Sequence, residues 1–493
     1  MTTAELSAAR RRSVPGGPAL ATFRYAWVLP LVAGIAAVAI AVAGIGWVGS
    51  AVGTVLLLLF LAFFVRHLAF GVAALAAGRV DLAHADIAAA ATDDRLPPVT
   101  VIVACKNEEA VVDHLVGSLL RLDYPGDRME LIVADDASTD GTAAALDRLA
   151  ERHDRLRVLH RPAHVRHGKP AALNDALAMA TGEIIVVFDA DHRPRPDVVR
   201  RLVRHFDDPS VGAVQGRCVI ANSGDSTLAR LVAMDYNGGY LINEYGRQAV
   251  FELPAYGGAN CATRASVLRA LGGWNERSVT EDTDVTMRML LSGYRVRYDV
   301  TAVDEEEGVV TFGRYWRQRY RWARGHQQCW RDYRSAVWRT PRLSRMQKVE
   351  TTMFLYGFHL PVVSALGLVV MILWGLGISA PAAASVLFVY TILLFLGPLV
   401  EVGGGLILAR SDRRWAASMV WFLPLFFASM ALCTLAWFDG ILDRPYTWVK
   451  TKRRADADEP PGTVPPAAGT ARPQVAGATV AAGGLGASGG AER

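Results

Sequence analysis

The stretch Ile184-Ile185-Val186-Val187-Phe188-Asp189-Ala190-Asp191 decides the fold. An unbroken apolar run rich in β-branched residues reads as a strand covered on both faces, as in a parallel sheet. It ends directly in two carboxylates. Open α/β sheets bind ligands beyond the carboxyl ends of their strands. On extended backbone, residues i and i+2 point the same way. Two convergent carboxylates repel unless a cation lies between them. Mg²⁺ or Mn²⁺, which take oxygen ligands and bridge diphosphates, suit that place. The plainer alternative is an acidic turn before Pro194.

Upstream the pattern repeats. Residues 99–104, 131–134 and 157–160 read as further strands, and 109–122, 142–152 and 170–180 as helices. This alternation predicts a doubly wound sheet. Asp135 and Asp136 also fall just past a strand, in a Ser/Thr/Asp/Gly-rich turn. Asn107, Glu108 and Glu109 follow the first strand and read, on their own, as a helix cap with acids in the first turn. Arg166-His167-Gly168-Lys169-Pro170 precedes a helix. Its glycine, lysine and helix dipole suit a phosphate, although a solvated loop lysine fits as well. Thr280-Glu281-Asp282 opens another helix, with Thr280 as a candidate cap. Paired glycines at Tyr256-Gly257-Gly258-Ala259-Asn260 are expected to bring backbone close to a ligand.

Composition adds a second theme. The chain has 493 residues, of which 52% are hydrophobic, and a mean hydropathy of +0.22. The excess is localised at 26–48, 51–77, 353–376, 383–409 and 415–438, each long enough to span a bilayer. The paired early spans read as an anchoring hairpin rather than a cleaved signal peptide. Arg10-Arg11-Arg12 puts the N-terminus inside, and residues 79–350 with it. Three late spans would then leave the basic Thr451-Lys452-Arg453-Arg454 outside, against the same bias. Glu401, His359 and Tyr356 lie within late spans, where polar groups face protein or a wet cavity. Gly403-Gly404-Gly405 would allow close helix approach. Between domain and spans, Phe312, Trp316 and Tyr320 recur at i, i+4 among arginines, as in a membrane-surface helix. A net charge of +5 does not point to nucleic acid. Cys105, Cys218, Cys261, Cys329 and Cys433 show no metal-ligand spacing and read as isolated reduced thiols. Beyond 455 the Ala/Gly/Pro-rich tail reads as disordered.

Four segments in fixed order carry a resemblance: Asp135-Asp136-Ala-Ser-Thr-Asp-Gly, Asp189-Ala190-Asp191, Thr280-Glu281-Asp282 and Gln318-Arg-Tyr-Arg321-Trp322. With flanking apolar spans, the chain resembles the membrane-embedded, processive family 2 glycosyltransferases, which include cellulose, chitin, hyaluronan and poly-N-acetylglucosamine synthases. The resemblance implies an α/β GT-A (Rossmann-like) catalytic domain inserted between transmembrane helices, with interfacial amphipathic helices. It implies that Asn107, Glu108, Asp136, Lys169 and Asp189 bind nucleotide. Asp189 and Asp191 would hold Mg²⁺ or Mn²⁺. Asp282, with Glu281 beside it, would be the catalytic base, and Gln318, Arg321 and Trp322 would serve acceptor and diphosphate.

The expected layout is a polar lead at 1–25, two spans at 26–78 and a linker at 79–97. A cytoplasmic catalytic domain at 98–309 and interfacial helices at 310–350 follow. A bundle of about three helices at 351–440 and a tail at 441–493 complete it. The first functional reading is an inverting, UDP-sugar-dependent enzyme of the cell membrane that extends and exports a β-linked polysaccharide. Its partners would be the UDP-sugar donor, the polysaccharide acceptor and membrane lipid. A single addition to a lipid acceptor is the second reading, and a non-catalytic membrane scaffold or transporter the third.

Overall fold

The computed structural model describes residues 46–78, 96–163, 165, 168–377 and 384–444. Nearly all of the expected span 26–48, most of the linker 79–97, Arg10-Arg11-Arg12, Arg166-His167 and the tail from 445 lie outside the described residues.

Helix α1 (Gly46–Ala73) comes first and continues through a π-helical turn, Ala74–Gly78. The expected alternation follows as β1 (Val99–Cys105), α2 (Val112–Leu120), β2 (Met129–Asp135), α3 (Thr142–Ala150), β3 (Leu156–His160), α4 (Lys169–Met179) and β4 (Ile184–Asp189). Beyond it lie β5 (Arg193–Pro194), β6 (Val211–Ile220), α5 (Thr227–Gly238), α6 (Tyr245–Phe251), β7 (Cys261–Arg264), α7 (Glu281–Ser292) and β8 (Arg295–Glu306). The strand order is β3-β2-β1-β4-β7-β6-β8-β5. The first four strands are parallel, as expected. β7 then runs antiparallel to both β4 and β6, so the sheet is mixed beyond the doubly wound half.

Period-two alternation divides the core between the sheet faces. Val101, Val103, Leu131, Val133, Val186 and Phe188 pack with α2 and α3. Ile102, Ile132, Ile185 and Val187 pack with Ala172, Leu173, Ala176 and Leu177 of α4 and Val285 and Met289 of α7. With both faces covered, the strands need no polar residue until their ends, where the acids stand.

After β8 come α8 (Phe312–Arg339), α9 (Arg345–Tyr356), α10 (Leu360–Gly375), α11 (Ala384–Leu408) and α12 (Phe422–Ile441). Three stretches among the described residues are long and apolar enough to cross a membrane: Thr54–Ala76, Arg345–Val369 and Arg414–Ile441. α11 is 25 residues long, with Pro398 inside it. The expected boundary at 350 falls inside the second of these stretches, because α9 passes through the 3₁₀ turn Gly357–His359 into α10.

The aromatic stripe of α8 is partly covered by an apolar helix: Trp316 and Tyr320 pack against Leu432, Cys433 and Ala436 of α12. The Tyr320 hydroxyl donates to Asp439 Oδ2 at 2.5 Å. Phe312 alone of the three stays exposed. The glycine run of α11 does allow a close helix approach, and the helix it meets is α5 of the catalytic domain. A Cβ on Gly405 would lie 2.7 Å from the backbone of Asn237 and Gly238, at the end of α5. The layer formed by α5, the π-helical Gly239–Glu244 and α6 was not foreseen. It packs on α1, β8 and α11 through Phe70, Leu241, Ile242, Tyr245, Tyr298 and Leu408.

Candidate active site

A cleft of about 880 Å³ opens at the carboxyl ends of β1, β2 and β4 and reaches α5, α8 and α11. The nucleotide-side residues lie at the strand ends. Asp136 is buried and held on two sides, by the Arg161 guanidinium and by the Gly168 N–H, which donates to Oδ2 at 2.8 Å. Arg161 also donates from Nε to Asp175 Oδ2 at 2.8 Å. Arg161 escaped the sequence reading because its role depends on the parallel β2–β3 pairing, which sets His160 opposite Asp135. Glu108 and Asp136 line the cleft. Asn107 is turned into the neighbouring loop: its N–H donates to Ser138 Oγ at 2.8 Å, and its Oδ1 accepts from Thr139 N–H at 2.7 Å. The capping reading fails for Asn107. The α2 cap position is Val111, with no side-chain cap, and a φ of 54° at Asn107 turns the chain away before the helix begins.

Asp189 ends β4, but Asp191 lies in a turn, not on extended strand, with the His192 N–H donating to the Asp189 carbonyl at 3.1 Å. The turn still brings the acids together. Asp189, Asp191 and His192 offer ligand atoms within 4.8 Å of one another. Two hard carboxylates and an imidazole fit Mg²⁺ or Mn²⁺. His192, unforeseen, is nearly fully buried. Burial opposes its charging, but Asp304 and Glu306 overcome this and raise its pKa well above the usual histidine range, so a cation bound there would displace its proton.

Lys169 opens α4, and its ammonium does not project into solvent. Nζ lies 2.6 Å from Asp189 Oδ1 and 3.5 Å from Glu281 Oε1, and donates to the Gly258 carbonyl at 3.0 Å. One cation thus ties the Asp189 end of the cleft to the Glu281-Asp282 end. Asp282 accepts from the Thr283 N–H at 2.6 Å. Its carboxyl is pushed up to about 7, first by burial and then by the neighbouring Glu281 charge, with Lys169 opposing. A carboxyl poised near neutrality is suited to general-base work. Thr280 occupies the cap position of α7, but its hydroxyl faces Cys329 Sγ at 3.7 Å and caps nothing. The paired glycines serve Asp282: Gly258 has a φ of +81°, and a Cβ there would stand 3.0 Å from Asp282 Oδ2.

Gln318, Arg321 and Trp322 all line the cleft from α8. The Arg319 guanidinium stacks 4.4 Å from the Trp322 ring centroid and donates to Asp235 Oδ2 at 2.5 Å. Gln318 Oε1 is buried without a hydrogen bond. His326, also unforeseen, sits one turn further along, with Nε2 3.5 Å from Thr283 Oγ1. Burial, and then Arg247, push its imidazole down to about 4, so it is neutral. At the far end Glu401 of α11 lines the same cleft, with His67 Nδ1 of α1 2.9 Å from its Oε2. Tyr356 and His359 stack on each other at 5.0 Å, beside Trp330.

The α/β sheet thus sets a buried aspartate at one strand end, a carboxylate pair at the next and a raised carboxyl across the cleft, the layout expected of a GT-A-like glycosyltransferase. Residues 100–272 match the family described as Glycosyl transferase family 2. The beta-monoglucosyldiacylglycerol synthase of Synechocystis sp. is 38% identical over 284 residues, covering 56% of this chain and 58% of that protein. This chain therefore spans little more than half the length of that relative. The probable glycosyltransferase YdaM of Bacillus subtilis is 29% identical over 370 residues, covering 73% of this chain and 87% of YdaM. Among solved structures, a mannosyltransferase from Pyrobaculum calidifontis in complex with GDP-Man and Mn²⁺ aligns with a TM-score of 0.45 at 23% identity. That alignment covers 76% of this chain and 100% of the mannosyltransferase chain.

Proposed function

We propose that this chain transfers one hexosyl unit from a UDP-sugar, with inversion, to a hydroxyl of a membrane-held lipid of the diacylglycerol class. The observation that carries the reading is the reach of the cleft. The same cavity is lined by Asp189 and Asp282 and by Glu401 of α11, so an acceptor rooted among the apolar helices has a path to the base. The likeness to a glucosyldiacylglycerol synthase supports this acceptor class and moves it ahead of polymer extension.

In this reading Asp136 and Glu108, with Asn107 bracing their loops, hold the nucleoside. Lys169 and Arg321 meet the diphosphate as negative charge develops on it. Asp189 and Asp191, with His192, would hold Mg²⁺ or Mn²⁺, which would offset that charge. Asp282 accepts the proton of the acceptor hydroxyl. The hydroxyl oxygen attacks the anomeric carbon as the bond to UDP breaks, and UDP leaves with the electron pair. Attack opposite the leaving group turns an α-linked donor into a β-linked product. Glu281 fixes the charge felt by Asp282, and Trp322 and Gln318 line the acceptor side. The catalytic domain, about 98–309, faces the cytoplasm between the apolar helices.

Extension of a β-linked polysaccharide is kept as the second reading, supported by Gln318, Arg321 and Trp322 on the cleft wall. The test is purified protein in vesicles holding diacylglycerol, given a panel of UDP-sugars, with products resolved by mass. A lipid carrying one hexose supports the first reading. A water-soluble chain of many units, protected inside the vesicle from added glycosidase, would replace it with the second.

A further inference from the structure

Sequence spacing isolates the five cysteines, but the sheet does not leave Cys218 isolated. β6 and β8 pair in parallel with Cys218 opposite Asp304 and Ile220 opposite Glu306. β5 pairs with β8 from the other side, setting Pro194 opposite Asp304. His192, just before β5, is thereby brought onto the same two carboxylates. Donor atoms of His192, Cys218 and Glu306 lie within 4.8 Å of one another, and all three residues line the cleft.

We propose that His192, Cys218 and Glu306 form a second cation site, for a thiophilic divalent ion of the zinc class, in the wall of the donor cleft. The donor set is the first argument. Burial pushes the Cys218 thiol up, so binding would release its proton and that of His192 to solvent; the resulting thiolate, imidazole and carboxylate select softer ions than the Asp189–Asp191 pair does. The spacing is the second. His192 Nε2 lies 3.1 Å from Glu306 Oε2; bonds of about 2.0 Å to a tetrahedral zinc place two ligands about 3.3 Å apart. The third is the support behind the imidazole. His192 Nδ1 is hydrogen-bonded to Asp304, which is fully buried. A carboxylate behind the remote nitrogen fixes ring and tautomer, as it does for zinc-bound histidines, and leaves Nε2 toward the ion.

Three protein ligands would leave a fourth tetrahedral position open. The hydroxyls of Tyr236 and Tyr240 approach Glu306 and Cys218 and would have to give way to an ion. His192 belongs to both candidate cation groups, with Nε2 4.0 Å from Asp191 Oδ1. A soft ion would therefore take His192 away from the Asp189–Asp191 site, and zinc is expected to inhibit transfer even in saturating Mg²⁺.

The test uses tag-free, full-length protein cleared of transition metals, held in saturating Mg²⁺ and titrated with Cd²⁺. The expected result is one equivalent of ultraviolet thiolate-to-cadmium absorption, reversed by Zn²⁺. Cys218→Ser removes the band while UDP binding persists. Asp304→Asn lowers Cd²⁺ affinity about 10–100-fold, as loss of a supporting carboxylate does elsewhere. If Cys218→Ser does not fold, unchanged affinity in Asp304→Asn overturns the proposal. It is overturned too by absence of the band in the wild type, by a band that survives Cys218→Ser, or by binding that Asp191→Asn abolishes and Cys218→Ser does not.

Discussion

At the scale of single residues, the half-buried Asp282 carries the proton transfer. To take a proton it must be ionised, and burial together with Glu281 holds its carboxyl near 7. The expected kcat/KM therefore falls about tenfold per pH unit below 7 and levels off above it. Asp282→Asn should remove that limb and lower turnover by 10²–10⁴-fold while leaving UDP binding in place. A pH–rate series with a UDP-binding isotherm for each variant checks both parts. Stability carries the opposite sign. The folded state binds this proton more tightly than the unfolded chain does. The contribution is full below the ordinary value of 3.8 and is lost as pH rises through about 7. Asp136, Asp189, Asp191, Lys169 and Asp282 were legible in sequence because each follows a strand end or opens a helix. His192 and Arg161 were not. Their chemistry comes from partners such as Asp304, 112 residues away, and Asp136, 25 residues away, and only strand order brings those together.

At the scale of elements, the contact between α11 and α5 decides how the apolar helices meet the catalytic layer. Gly405 lies where a Cβ would be 2.7 Å from backbone atoms of Asn237 and Gly238, and Gly238 lies where one would be 3.2 Å from Glu401 Cγ. Backbone cannot retreat as a flexible side chain can. Gly405→Leu should therefore separate the helices and destabilise the fold by about 1–3 kcal/mol, the usual range for overpacking. It should also shift Glu401 in the cleft. A raised acceptor KM with little change in UDP affinity is the expected kinetic signature. Gly403→Ala, which meets nothing within 4 Å, is the neutral control. Thermal melts and a KM-against-kcat split measure the two effects. The glycine run was visible in sequence, but its partner was not. Small residues announce a close approach without saying to what, and the π-helical turn at Gly239–Glu244 interrupts the helical period that would have marked α5 and α6 as one layer.

At the scale of the molecule, segments far apart in sequence are joined by a buried ionic knot. Glu350 of α9 is 1% exposed and accepts from Arg66 Nε at 2.8 Å, Arg66 Nη2 at 2.7 Å and Arg247 Nε at 3.0 Å. Arg66 belongs to α1, ahead of the catalytic domain, and Arg247 to α6, inside it. Arg247 pairs also with Glu244 and lies 3.9 Å over the Phe354 ring. One carboxylate thus fastens an apolar helix on each side of the domain to the layer beneath the cleft. Such a pair adds little over a well-packed apolar core, but removing one partner strands buried charge. Here the loss would strand two guanidiniums, so Glu350→Ala should cost about 3–5 kcal/mol. The exposed Arg331–Asp332 pair should cost no more than about 1 kcal/mol when broken. Denaturant unfolding in one detergent compares the variants. If the knot also aligns α1 and α9 with the cleft, Glu350→Gln, which keeps the shape and loses the charge, should lower turnover on a membrane acceptor more than it lowers UDP binding. Equal loss of both would mean that the knot only holds the fold together.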